Sequence, residues 1–104
     1  MARGGISHGE LLVLLATAHV GKEAYGVSIA QAIEDATSKQ ASLASVYRAL
    51  RRLEARGLVR TRHGEPTSER GGRAKRFAEL TAAGRREAVQ TQRTLQRLSI
   101  AHQK

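Results

Sequence analysis

Apolar positions recur along this chain at helical period in four stretches and at alternating period in one short pair of runs. The first stretch, Leu11-Leu12-Val13-Leu14-Leu15-Ala16, follows Ser7-His8-Gly9-Glu10. The S-x-x-E spacing is that of a capping box, where a hydroxyl and a carboxylate each satisfy a backbone N–H left over at a helix start. A helix beginning at Ser7 and apolar on nearly all sides is expected to be covered on more than one side. Gly21 is its natural stop. A second helix is predicted from about Tyr25 to Ala36, with Val27, Ile29, Ala30 and Ile33 as its apolar stripe and Gln31, Glu34 and Asp35 facing water.

Ser42 is a good cap for a third helix ending at Gly57. Leu43, Val46, Leu50 and Leu53 fall at i, i+3, i+7 and i+10 and form one buried seam. Arg48 projects almost opposite that seam, and Ala44, Ser45, Arg51, Arg52 and Ala55 share its side. Tyr47 sits at the edge of the seam. Its ring is expected to pack on the core with its hydroxyl free to meet a phosphate.

Leu58-Val59-Arg60-Thr61-Arg62 then reads as a strand with basic residues at alternate positions. Residues 64–74 are rich in Gly, Pro, Ser and Thr and read as a loop. Lys75 to Leu80 reads as the returning strand, with Phe77 as its inward anchor, so the two make a hairpin. Thr81 can cap a last helix running to about His102. Its seam of Ala88, Thr91, Leu95, Leu98 and His102 is weakly apolar for such a length and requires a partner surface.

Charge sharpens the picture. The 104 residues hold 18 Lys+Arg against 9 Asp+Glu, a net of +9. Residues 48–76 alone carry ten basic side chains against three acidic ones, while residues 1–47 are close to neutral. Charge gathered in one third of the chain points to a polyanionic partner. Cys is absent, which excludes disulfides, thiolate metal sites and a Cys nucleophile. No apolar run approaches the roughly 18 residues of a membrane span. Gly9 and Glu10 stand where the core of a secretion signal would begin, so none is expected. The expected setting is the cytoplasm. His8, His19, His63 and His102 are scattered, with no metal-ligand spacing. Gly71-Gly72 lacks the Lys-Ser/Thr of a phosphate-binding loop. No nucleophile, base and acid fall into a catalytic motif. Neither an enzyme, a cofactor nor a metal is expected.

Three helices followed by a hairpin give a mainly α fold with a small β element, the winged helix-turn-helix. A third helix with arginines outward suits the DNA major groove, about 12 Å wide. Here the sequence resembles the PadR-like transcriptional regulators, over roughly residues 7–84. Four stretches carry the likeness: Tyr25-Gly26-Val27-Ser28-Ile29; the S-V-Y-x-x-L-x-x-L-E run from Ser45 to Glu54 with its continuation to Val59; Glu69 to Phe77 with the glycine pair; and Leu80-Thr81-Ala82-Ala83-Gly84.

The resemblance implies a bacterial homodimer on a pseudo-palindromic operator, often a repressor. Residues 1–80 would form the DNA-binding domain and residues 81–104 the dimerisation helix. Tyr47, Arg70 and Arg73 would touch phosphates, and Ser42, Ala44, Ser45 and Arg48 would face base edges. Arg51, Arg52, Arg62, Gly72 and Lys75 complete the expected DNA surface. Leu11, Leu12 and Leu15 of the first helix would join Ala88, Thr91, Leu95, Leu98 and His102 in the dimer. Some short relatives hold flat aromatic ligands against a Trp. This chain has none, so a small-molecule effector has no residue to support it. Two competing functions stand beside this one: an RNA- or ribosome-associated basic protein, and a winged helix that binds only proteins. The first would favour exposed aromatics for stacking, the second an apolar or mixed face on the third helix.

Overall fold

The computed structural model describes residues 5–64 and 75–100. The order is α1 (His8–Val20), a 3-10 turn (Gly21–Glu23), α2 (Gly26–Thr37), α3 (Leu43–Ala55), β1 (Val59–His63), β2 (Arg76–Leu80) and α4 (Ala82–Arg97). This is a mainly helical winged helix. Capping residues set three of the four helix starts. The Ser7 hydroxyl accepts the Glu10 N–H at 3.1 Å, and the Glu10 carboxylate accepts the Ser7 N–H at 3.2 Å. Ser42 and Thr81 accept from Ser45 and Gly84 in the same way. At the end of α1, Gly21 takes φ +82°, a conformation open to glycine and costly for most other residues.

Helix α1 is the centre of the molecule and packs against α2, α3, α4 and β2. Its own Leu14 is fully buried, as are Ile29, Leu53 and Val59 around it, and Val13, Val46 and Leu50 join them. Thr17 is buried as well, its hydroxyl donating to the Val13 carbonyl at 2.7 Å. Leu11, Leu12 and Leu15 are only half-buried within one chain.

β1 and β2 pair antiparallel, with Val59 opposite Leu80 and Thr61 opposite Ala78. This register corrects the expectation for Phe77. Side chains alternate along a strand, so the buried Val59 places Thr61, Ala78 and Leu80 on the core side. Ala78 is 2% exposed and Phe77 turns to the outer face. A third short piece completes the sheet, since Tyr25 bridges Phe77 and the Ala78 N–H donates to the Ala24 carbonyl at 2.8 Å. The free edge of β2 is thereby covered.

Other expectations shift for angular reasons. Val27 lies about 200° around α2 from Ile29 and is 49% exposed, outside the buried stripe. Glu34 is half-buried, and its carboxylate accepts the Ala41 N–H at 2.9 Å, fixing the turn into α3. Leu43, in the first turn of α3, is 42% exposed, and Ala49 takes its place in the seam. Helix α4 ends at Arg97, short of His102. The Leu98 N–H still bonds the Thr94 carbonyl, and Ser99 turns its hydroxyl onto the Gln96 carbonyl. His102 lies outside the described residues.

The start of α4 is tied to the end of α3. The Thr81 hydroxyl donates to the Gly57 carbonyl at 2.6 Å, and Gly84 lies so close to the Leu58 carbonyl that a Cβ would collide with it.

Candidate nucleic-acid interface

Helix α3 presents two unlike sides. Val46, Ala49, Leu50 and Leu53 are buried, while Ala44, Ser45, Tyr47, Arg48, Arg51, Arg52 and Ala55 are exposed. The Arg48 guanidinium donates to the Ser45 hydroxyl at 3.2 Å, a contact within the exposed face that leaves its remaining donors available. Arg51 makes no hydrogen bond or ion pair to any described residue. Ala44 and Ser45 are small, so the backbone between them and Arg48 can approach a surface closely.

Arg52 differs from its neighbours. Its guanidinium reaches the Glu10 carboxylate at 3.4 Å, with the Arg52 side chain 68% exposed and the Glu10 side chain 7%. Glu10 serves α1 as cap and α3 as counter-charge. One guanidinium edge is held by the protein while the rest faces solvent. Sequence reasoning identified Glu10 only as a cap. An acid beside an all-apolar run, with an arginine-bearing helix elsewhere in the chain, was the available signal.

Tyr47 lies with its ring on Gly26, at the first residue of α2, where a Cβ would overlap the ring. The glycine is thus required by the tyrosine, and the phenol is held over the N-terminal end of α2, where backbone N–H groups favour negative charge.

The outer face of the hairpin carries a second set of cations. Arg60 meets Glu79 at 2.8 Å and Arg62 meets it at 3.7 Å. The hydrogen bond from Arg60, followed by the charges of Arg60 and Arg62, holds the Glu79 carboxyl below its usual range. Arg62 also lies 4.8 Å from the Phe77 ring centre and donates to the Lys22 carbonyl at 3.3 Å. Lys75 stands 4.6 Å over the Tyr25 ring, which meets Phe77 edge-on at 5.8 Å. The two rings form a platform that orients Arg62 and Lys75. Arg70, Gly72 and Arg73 lie outside the described residues.

Among the described residues, no group of three or more His, Cys, Asp or Glu could hold a metal ion. No helix among them is long and apolar enough to cross a membrane.

The family model of the transcriptional regulator PadR-like family matches residues 13–90. The chain belongs to this family. It is a transcriptional regulator by family, not an enzyme. No curated protein matches the sequence. Solved structures share the fold. A PadR family transcription regulator of Clostridium difficile is 20% identical, with a TM-score of 0.71 over 88% of this chain and 91% of that one. A Streptococcus mutans protein is 23% identical, with a TM-score of 0.70 over 98% of this chain and all of that one. Bacillus subtilis PadR, solved in complex with operator DNA, is 17% identical, with a TM-score of 0.64 over 96% of this chain and 51% of that one. The PadR-like match runs from Val13 within α1, through α2, α3 and the two strands, to Gln90 within α4.

Proposed function

We propose that this PadR-like regulator binds double-stranded DNA in a sequence-specific manner, as a homodimer on a pseudo-palindromic operator, and represses by occupying a promoter. One observation carries the reading: Arg48 and Arg51 stand exposed on the side of α3 away from the buried Val46, Leu50 and Leu53. An arginine at this place can grip the O6 and N7 of a guanine in the major groove with two hydrogen bonds. Tyr47, Arg52, Arg62 and Lys75 supply phosphate contacts, which set register without reading sequence. The Bacillus subtilis relative bound to operator DNA supports the same use of the fold.

The dimer reading rests on apolar surface that one chain leaves uncovered. Leu95 is 50% exposed and Leu98 73%, while Leu11, Leu12 and Leu15 are only half-buried. A seam of this kind is stable when paired. In a dimer, the two copies of α3 would enter successive major grooves about 34 Å apart.

The RNA alternative loses support because Tyr25 and Phe77 pack on each other and are not free platforms for bases. Selection of bound duplexes from a random pool tests the proposal. A two-fold motif with half-sites about one helical turn apart is expected. Recovery of no motif, or of one without a guanine at the α3 positions, would contradict it.

A further inference from the structure

The arginines of α4 are not used by the interface described above. At 100° per residue, Gly84, Ala88, Thr91 and Leu95 gather on one side of α4, and Arg85, Arg86, Val89, Arg93 and Arg97 gather on the opposite side. All four arginines are exposed, and none makes a hydrogen bond or ion pair to a described residue. Glu87 is the only acid in the helix. It is not three or four residues from any of these arginines, so it cannot pair with one along the helix. The arginine side chains border a shallow trough of about 790 Å³ above Val89 and Gln90.

Helix stability does not explain the stripe as a whole. Arg93 and Arg97 are like charges at i, i+4, a mildly repulsive spacing. Arg85 closes the first turn, where the helix dipole disfavours a cation and no acid offsets it; Arg97 alone, in the last turn, is favoured by the dipole. Nor does the operator-reading surface explain it. Helix α4 begins at the far end of α3, through Thr81 on Gly57 and Gly84 on Leu58. That is about 20 Å of helix from Ser42, the end expected to enter the groove. Beyond this junction α4 packs on α1 and β2.

We propose that the arginine face of α4 is a second nucleic-acid site, which takes the phosphate backbone of a further DNA duplex without reading its sequence. Three features favour this occupant. Each guanidinium can bind a phosphate through two donors. The face from Arg85 to Arg97 is about 18 Å long, the axial length of roughly five base pairs. Its apolar side chains are Val89 and the small Ala82, so it lacks the large apolar or aromatic centre that anchors a protein partner. It also has no aromatic for stacking single strands. With α3 on an operator, each dimer would then link two stretches of DNA. That consequence rests on the α3 reading; the α4 site itself does not.

The test is a sandwich assay. Full-length protein is loaded on an immobilised duplex, washed, and offered a free labelled 30-base-pair duplex of random sequence. The native chain is expected to capture the label, with capture falling roughly a hundredfold between 50 and 200 mM salt, as about four phosphate contacts require. The quadruple variant Arg85→Gln, Arg86→Gln, Arg93→Gln, Arg97→Gln should load on the first duplex as well as native but capture at least tenfold less label. The double variant Arg93→Gln, Arg97→Gln leaves the packed first turn untouched and should show a partial loss with unchanged circular dichroism.

Absence of capture by the native chain overturns the proposal, as would undiminished capture by both variants. Loss of first-duplex loading in the double variant also overturns it, since the stripe would then belong to the operator surface. Preferential capture of single-stranded RNA over the duplex overturns it too. Failure of the α3 reading shows differently, as first-duplex loading that Arg48→Ala with Arg51→Ala leaves unchanged.

Discussion

Glu10 and Arg52 meet at 3.4 Å across α1 and α3, a buried carboxylate beneath an exposed guanidinium. The same carboxylate closes the capping box with Ser7. The start of the central helix and the last turn of α3 are therefore held at one point. Glu10→Gln keeps an acceptor for the Ser7 N–H and loses only the charge facing an arginine that is itself largely solvated, so it should cost about 1 kcal/mol or less. Glu10→Ala loses the cap and the pair together and should cost about 1–2 kcal/mol in urea denaturation. Equal costs for the two variants would show that the cap contributes nothing.

Two glycines are required for different reasons. In Gly84→Ala, the new methyl meets the Leu58 backbone carbonyl, which cannot rotate away. Helix α4 must shift, at about 1–3 kcal/mol. In Gly26→Ala, the methyl meets the far end of the Tyr47 ring, which is exposed enough to swing outward. Stability should change by under about 1 kcal/mol, within the range of most surface changes, while duplex affinity falls as Tyr47 leaves its place. Adding Tyr47→Ala should then cost no further affinity. A stable Gly84→Ala protein with an unshifted melting point would contradict the packing described.

The acid behaviour of the hairpin follows from Glu79. Its folded pKa lies below the ordinary value of 4.5, through the hydrogen bond and charge of Arg60 and the charge of Arg62. A lowered folded pKa stabilises the fold above the ordinary value, and that contribution disappears as pH falls through the folded value. Glu79→Gln should therefore lower the urea midpoint at pH 7, and the gap from native should close at pH values well below 4.5. Added salt should narrow the gap at pH 7, because these charges are exposed. A gap that widens with acid would reverse the sign argued here.

Leu95 and Leu98 are exposed in the single chain and should be covered in solution. Leu95→Glu with Leu98→Glu should shift sedimentation from dimer to monomer without loss of helix. Operator affinity should fall at least tenfold, since the two half-sites would no longer be engaged together. A native protein that sediments as a monomer at micromolar concentration would remove the dimer from the proposal.

Much of the fold was legible because it is local. Ser7, Ser42 and Thr81 announce helix starts through side chains that reach only three residues ahead. The exposed arginines of α3 follow from counting 100° per residue from Val46 and Leu50. What escaped was non-local. Phe77 is the largest apolar residue of its strand, and size suggested burial. The pairing of Val59 with Leu80 decides instead, and it turns Ala78 inward. The Tyr25 bridge covering β2 joins residues 52 apart in the chain, and Arg52 lies 42 positions from Glu10. No periodicity relates such pairs. Leu43 shows the limit of a seam drawn from spacing alone. It has the right period but lies in the first turn of α3, where it remains 42% exposed.

The most direct test measures the affinity of Arg48→Ala and Arg51→Ala for a selected operator and for the same duplex with its guanines replaced, by fluorescence anisotropy at fixed salt. Arg48→Ala should lose about 1–3 kcal/mol of discrimination between the two duplexes. Arg51→Ala should weaken both duplexes alike, as a phosphate contact does, and the circular dichroism of both variants should match native. Native-like affinity and discrimination in both variants would contradict the assignment of α3 as the reading helix.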